Sequence, residues 1–420
     1  MTSRKNRVGG LGVSGLRRGM LCALATAMVW SAGVVGFAAP ASAEDMRSKQ
    51  WYLEAMDAEK IWKTATGEGI KVAVIDSGVN PDTPSLKGKV LDGLDATDAA
   101  GEVTDDYTGH GTTMAELIAG SGEGGGLQGL APGAEIIPMR IVGKGFKPKK
   151  VNEASIATAL RAAADSDARI ISMSFGNEFE DDAEHEAIKY AQSKGKLLFA
   201  AAGNDGAKDN NPEYPAKYPE VVGVASASRE GKVDDYSQHG QVVDLAAPGG
   251  GIPTYCDETF TRYCDGDGGT SAATAIASAS AALIWSAHPE WTANQVLRVM
   301  FESAGAGKDG NKKTLSNYYG HGVVRPGAHI NRGLGKPGDA NISPLTNKPT
   351  GGASSSASSK PSAPASSQAP EGKPGADPAV AGSSTKTEDD SQLGLAIGGV
   401  AAAVVLAGIA FAVVRKRRSA

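Results

Sequence analysis

From Ser271 to Ile284 the sequence is Ala, Ser, Thr, Ile and Leu with no charged residue, and it continues into Trp285. Nothing in this run interrupts a helix, and a helix without a polar face must be covered on every side. The chain therefore has to build a fold large enough to enclose a central helix, with Ser271 at its amino end.

The flanking sequence supplies the enclosing elements. Lys71–Ile75, Glu135–Ile141, Arg169–Ser174, Leu197–Ala201, Val221–Ala225 and Val242–Ala246 are short apolar runs that read as strands buried on both faces, the pattern of a parallel sheet. Helical patterns such as Val151–Ala164 and Asp182–Lys194 lie between them. The alternation predicts an α/β fold, with a mainly parallel sheet, helices on both faces and a site at the carboxyl ends of the strands.

Three Gly-flanked turns carry chemistry. Asp76 follows the apolar Val72-Ala73-Val74-Ile75 and precedes Ser77-Gly78; His110 sits in Gly109-His110-Gly111-Thr112; Ser271 sits in Gly268-Gly269-Thr270-Ser271-Ala272. Taken singly, an Asp after a strand or a His in a Gly-rich turn is an ordinary structural residue. Together, and in the order Asp, His, Ser, they are what a serine hydrolase needs to assemble an orienting acid, a base and a nucleophile. Asn204, in Gly203-Asn204-Asp205-Gly206 at the end of another apolar run, is a fourth candidate. A nucleophile at a helix amino terminus has oriented N–H groups and the positive end of the dipole beside a developing oxyanion.

On these motifs the region from Trp51 to Leu334 resembles the subtilisin-like serine proteases. Leu130-Ala131-Pro132-Gly133-Ala134, Ile171-Ser172-Met173-Ser174-Phe175-Gly176, Tyr214-Pro215-Ala216-Lys217-Tyr218-Pro219 and Ala247-Pro248-Gly249 match in order. The resemblance implies a subtilisin-like three-layer fold, with Ser271 as nucleophile, His110 as general base and later acid, and Asp76 fixing the imidazole. It implies Asn204 as an oxyanion donor beside the Ser271 N–H. It also implies that Ser174-Phe175-Gly176 and Gly143-Lys144-Gly145 flank an extended polypeptide substrate as edge strands. Glu213 stands where the family often has a small residue at the floor of the S1 pocket. A carboxylate there could favour Lys or Arg at P1, shorten the pocket for small residues, or be a surface group paired with Lys217.

Departures from the family pattern are Ala275, where Pro is usual, and the 122–129 loop, which lacks the side chains that bind calcium in many relatives. No metal or cofactor is expected. The interval from Glu44 to Lys71 leaves no room for a folding prodomain, so self-cleavage of one is not expected either.

The two ends read differently from the body. Arg4, Lys5, Arg7, Arg17 and Arg18 precede an apolar run from Met20 to Ala39 and the small-x-small Ala41-Ser42-Ala43, which reads as a secretory signal peptide over 1–43. An uncut amino-terminal anchor is the alternative, and Arg17-Arg18 leaves the export route open. The catalytic domain is expected over 44–334 and a Pro/Ser/Ala-rich disordered linker over 335–391. Leu393–Val414 has the length and apolarity of a bilayer span, and Arg415-Lys416-Arg417-Arg418 follows it. This assigns 392–414 to a transmembrane helix and 415–420 to a basic cytoplasmic tail, with everything upstream outside the cell membrane.

Cys22 leaves with the signal, so Cys256 and Cys264 remain as a pair in an exported domain. A disulfide is expected, stiffening one rim of the site ahead of Ser271; free thiols or a metal pair are the alternatives. The net charge of −5 and the lack of basic patches in the body argue against nucleic acid. The whole arrangement resembles the mycosins, membrane-anchored subtilases associated with type VII secretion. That resemblance implies exported proteins as substrates, membrane components of the secretion system as partners, and stabilisation of the secretion complex as an alternative role.

Overall fold

The computed structural model of the protein describes residues 2, 46–142, 153–266, 268–307 and 315–350. Apart from residue 2, the expected signal peptide, the linker from residue 351, the transmembrane helix and basic tail, and the Gly143-Lys144-Gly145 segment lie outside these residues.

Among the described residues a seven-stranded parallel sheet forms the centre. Its strands are β1 (Lys71–Asp76), β2 (Leu94–Asp95), β3 (Glu135–Arg140), β4 (Ile170–Met173), β5 (Leu197–Ala201), β6 (Val222–Ala227) and β7 (Leu245–Pro248), in the order β2-β3-β1-β4-β5-β6-β7. Two further strands, β8 (Thr254–Tyr255) and β9 (Tyr263–Cys264), form an antiparallel hairpin. The principal helices are α1 (Trp51–Ala55), α2 (Ala58–Ile61), α3 (His110–Ala119), α4 (Glu153–Asp165), α5 (Asp182–Ser193), α6 (Gly269–Ala287), α7 (Ala293–Ser303) and α8 (Pro326–Ile330).

Side-chain alternation divides the core into two layers. On β1, Val72 and Val74 pack into the cluster that contains α3 and α6, while Ala73 and Ile75 pack into the one that contains α4 and α5. Phe199 and Leu198 on β5 separate in the same way. This period of two, apolar on both faces, gives the sandwiched strands expected from the sequence.

Helix α6 fills the expected central position, although it begins at Gly269 rather than Ser271. It packs against β1, β4, β5, β6 and β7 and against α3. Alanines at 272, 273, 275, 277, 279, 281 and 282 are fully buried, and the hydroxyls of Thr274 and Ser280 donate back to the carbonyls of Thr270 and Ile276 at 2.8 Å. Among the described residues it has the length and hydropathy of a membrane span, yet it lies inside the protein.

Several element ends differ from the sequence reading by a few residues, and two boundaries differ for a visible reason. The last sheet strand begins at Leu245 rather than Val242, since Asp244 turns its carboxylate to accept from the Gly223 N–H at 2.9 Å. Residues 335–350, expected to begin the linker, are held to the body. The Ala340 carbonyl accepts from Thr292 Oγ1 at 2.9 Å and Asn294 Nδ2 at 3.0 Å, and Thr350 Oγ1 accepts from Asn294 Nδ2 at 2.7 Å.

Burial pushes the Asp244 carboxyl up to about 7, against the pull of the Gly223 hydrogen bond. Its folded value exceeds the unfolded one, so native protein holds a proton there that the unfolded chain has lost, and the burial penalty grows as pH rises from about 4 to about 7. Asp244→Asn is expected to stabilise the protein by on the order of 2 kcal/mol at about pH 8 and by little near pH 4, read from thermal unfolding at both values.

Candidate active site

Strand β1 pairs with β3 on one side and β4 on the other, so successive connections leave it in opposite directions. Such a switch point opens a crevice at the carboxyl edge of the sheet. Asp76 ends β1 there; Ser174 follows β4 and Asn204 follows β5. The amino ends of α3 and α6 bring His110 and Ser271 to the site.

His110 Nδ1 lies 2.8 Å and 2.9 Å from the two carboxylate oxygens of Asp76. The Asp76 side chain is 6% exposed and that of His110 39%. An acceptor at Nδ1 fixes the proton on that nitrogen and leaves Nε2 with its lone pair. Burial alone would pull the His110 pKa down, but attraction and hydrogen bonding to Asp76, with Asp106 farther off, outweigh it and hold the imidazole above its ordinary 6.5.

Asp106 and Ser77, which the sequence reading did not single out, build the bed under this pair. The Asp106 carboxylate is buried and accepts from Ser77 Oγ (2.8 Å), the N–H groups of Thr108 (3.0 Å), Gly109 (2.9 Å) and Thr112 (2.9 Å), and the hydroxyls of Thr108 (3.0 Å) and Thr112 (2.7 Å). Ser77 in turn gives its backbone N–H to Asp76 Oδ1 at 2.7 Å and receives the Gly111 N–H at its hydroxyl at 3.0 Å. A negative charge at the first turn of α3 satisfies otherwise orphaned donors and complements the helix dipole.

Ser271 and Ser174 are in contact: Ser271 Oγ donates to the Ser174 carbonyl at 3.3 Å and Ser174 Oγ to the Ser271 carbonyl at 3.2 Å. The hydroxyl of the nucleophile candidate thus rests on the β4 extension rather than on His110. Catalytic hydrogen bonds are often unformed without substrate. Asn204 Oδ1 accepts from both the N–H and the hydroxyl of Thr270, each at 3.0 Å, so its amide nitrogen is the group it has left to offer. Thr270 is the positioning residue here, and a Thr in a Gly-rich turn gives no sequence signal of that task.

The rim over α3 is the β8–β9 hairpin, where Cys256 and Cys264, with Cα atoms 5.1 Å apart, are joined by a disulfide. Glu116 on α3 is fully buried and accepts from Thr83 Oγ1 (2.9 Å), Tyr255 OH (2.9 Å) and Tyr263 OH. Burial pushes its carboxyl up, opposed by these hydrogen bonds. The Tyr255 N–H also donates to Thr113 Oγ1 at 3.0 Å, and that hydroxyl donates to the Gly109 carbonyl at 2.6 Å. The hairpin is therefore two hydrogen bonds from the peptide that precedes His110.

On the other side of Asp76, its register partner Arg140 is fully buried. The guanidinium donates to the carbonyls of Ala100 (3.1 Å), Glu102 (2.8 Å) and Asp105 (3.3 Å), meets the Asp95 carboxylate at 3.1 Å and lies over the Tyr107 ring. It holds the loop that leads into Asp106.

Of the residues expected from sequence, Asp76 and His110 meet directly, Ser271 meets Ser174, and Asn204 meets the residue before Ser271. Gly176 lies against Glu213, and Phe175 is half-buried on the same stretch. Because the His110 pKa is higher folded than unfolded, the ion pair's contribution to stability is full below about pH 6.5 and fades as pH rises through the folded value. Asp76→Asn should lower the His110 pKa relative to the native chain, measured from imidazole proton shifts against pH; an unchanged pKa would contradict this account.

The sequence profile described as the subtilase family matches residues 67–322. Thermitase of Thermoactinomyces vulgaris is 34% identical over 239 residues, 56% of this chain and 82% of thermitase. The major intracellular serine protease of Bacillus subtilis is 35% identical over 246 residues, 57% of this chain and 75% of that protein. Among solved structures, MycP1 from Mycobacterium smegmatis superposes with a TM-score of 0.58 at 26% identity, covering 69% of this chain and 86% of MycP1. The MycP3 protease from the type VII (ESX-3) secretion system gives 0.56 at 28%, covering 67% and 88%. With the parallel sheet and the Asp76–His110 pair in place, the chain belongs to the subtilase family of serine endopeptidases.

Proposed function

We propose that this protein is a membrane-tethered, extracytoplasmic endopeptidase that cuts extended segments of exported proteins in the setting of a type VII secretion system. The observation that carries the chemical part is the Asp76–His110 contact beside a helix amino terminus that presents Ser271, with Asn204 anchored by Thr270. The likeness to MycP1 and MycP3 supports the setting. The apolar stretch Leu393–Val414, followed by four basic residues, supports the tether, with the catalytic domain outside and the tail in the cytoplasm.

In this reading a peptide strand lies along Ser174-Phe175-Gly176. Ser271 Oγ turns from the Ser174 carbonyl to the scissile carbon and gives its proton to His110 Nε2, and the imidazolium is steadied by Asp76. The oxyanion is received by the Ser271 N–H and the Asn204 amide. His110 then protonates the leaving amine, and a water activated by the same nitrogen hydrolyses the acyl ester. The disulfide-joined hairpin holds one rim against α3 throughout.

A donor like Asn204 is worth about 3 kcal/mol in subtilisin. Asn204→Ala should therefore lower kcat by two to three decades with little change in KM; a loss confined to KM would count against the oxyanion role. Thr270→Val, which removes one of the two anchors of Asn204, should lower kcat on the order of tenfold.

A second reading follows from the description of MycP1 as an essential component of the type VII (ESX-1) secretion system. By this reading the domain here acts mainly as a stabiliser of a secretion complex. Fluorophosphonate labelling of intact cells tests the first reading: the native chain should be labelled and Ser271→Ala should not. Secretion lost in Ser271→Ala cells makes proteolysis the essential role. Secretion kept there but lost when the whole chain is deleted makes it the scaffold.

A further inference from the structure

A cavity of ≈ 580 Å³ lies at the amino edge of the sheet, where β4 and β5 begin, and so at the opposite end of these strands from Ser174 and Asn204. That is the size of a small-molecule site. Leu197, Leu198, Leu297 and Leu345 give it an apolar wall. Ala340 and Thr350 close it from the side of the carboxyl-terminal segment, which Asn294 of α7 holds in place.

Of the charged side chains that line this cavity, Asp167, Glu220 and Lys194 each have an ionisable partner. Asp167 meets Lys71 Nζ at 3.2 Å, Glu220 meets His185 Nε2 at 3.0 Å, and Lys194 meets Asp165 at 3.6 Å. Arg169 and Lys196 are different. Arg169 Nη1 donates to the Pro289 carbonyl at 2.8 Å, and the guanidinium lies 5.1 Å from the centre of the Trp285 ring. Lys196 Nζ donates to the carbonyls of Ser166 and Ala168, both at 2.7 Å. These partners are neutral, and among the described residues neither cation is in ion-pairing contact with a carboxylate.

The two cations are neighbours. Each immediately precedes its strand, and the Leu197 N–H donates to the Arg169 carbonyl at 3.0 Å. Both residues are half-buried, and burial works against the charge of each. Arg169 and Lys194 add repulsion at Lys196; Asp167 offsets part of it, but its carboxylate is already bonded to Lys71. Charges drawn out of water are ordinarily matched by an opposite charge. A guanidinium carries five N–H groups and an ammonium three, so both have donors left after the bonds described. The side-chain amides of Gln192 and Asn341 also line the cavity, and neither makes a hydrogen bond among the described residues.

We propose that this cavity binds a carboxylate carried on an apolar group: Arg169 and Lys196 share the carboxylate, and the leucine wall covers the group. The same chemistry is offered by the carboxyl end of a polypeptide with apolar last residues and by a free organic acid. With a peptide end, the amides of Gln192 and Asn341 are available to its main chain. The site stands apart from the catalytic crevice and does not depend on the role of Ser271.

The full chain is titrated with N-acetyl-leucyl-leucine bearing a free carboxylate, with the same dipeptide as its amide, and with hexanoate, read by calorimetry and by thermal unfolding. The free dipeptide acid should saturate one site, raise Tm, and bind about tenfold or more tighter than the amide, since a hydrogen-bonded charge pair is lost with the carboxylate. Its affinity should fall as salt rises. Arg169→Gln and Lys196→Gln should each weaken it by about tenfold, and Arg169→Lys by less. Hexanoate binding as tightly as the dipeptide supports a free acid as the ligand, and markedly weaker hexanoate binding supports a peptide end. The proposal is overturned if the amide binds as tightly as the acid, if neither acid binds saturably, or if both Gln variants bind the acid as the native chain does. The comparison of acid with amide is made on the native chain, so it decides even where a variant fails to fold.

Discussion

The cleft depends on how closely α6 approaches the sheet. The helix packs against β1, β4–β7 and α3, and most of its buried residues are alanines and small hydroxyl residues. Close packing of this kind has no slack, and one added methylene would have to move a strand, the helix or both. Since Ser271 lies in the first turn of that helix and His110 starts α3, the same contact that fills the core sets the distance between the two residues. Ala275 is an ordinary buried member of the uninterrupted helix.

Electrostatic order is added by two carboxylates rather than one. Asp76 faces the imidazole, and Asp106 gathers the donors of the turn that carries it, with the Ser77 hydroxyl between them. Two like charges this near would repel if left to water, but each is matched by several N–H and O–H groups and one by a helix amino end. The arrangement keeps Asp76 free to respond to charge on His110, because the work of holding the turn falls to Asp106. The hairpin carrying Tyr255 and Tyr263 clamps the other face of α3, so His110 is held from below and above.

Much of this was legible in the chain. The strands, the covered helix and the four motif residues are fixed by apolar runs that end in glycine-rich turns, a pattern that survives without tertiary context. What was not legible shares a physical cause. Thr270, Ser77 and Asp106 are small polar residues in turns, and a hydroxyl that orients an amide looks in sequence like one that faces water. The two-residue β2 is too short to show a period. Residues 335–350 carry few large apolar groups, and their attachment comes from backbone carbonyls meeting Thr292 and Asn294, which composition does not register.

Arg140 has a further consequence. Three carbonyl oxygens and a carboxylate gathered around a positive centre form the kind of cage that a loose ion could also occupy, but here the ion is a side chain of the neighbouring strand. A covalently attached cation has no dissociation constant, so dilution or a chelator has no hold on the loop that leads to Asp106. This part of the candidate site carries its own counter-ion with it.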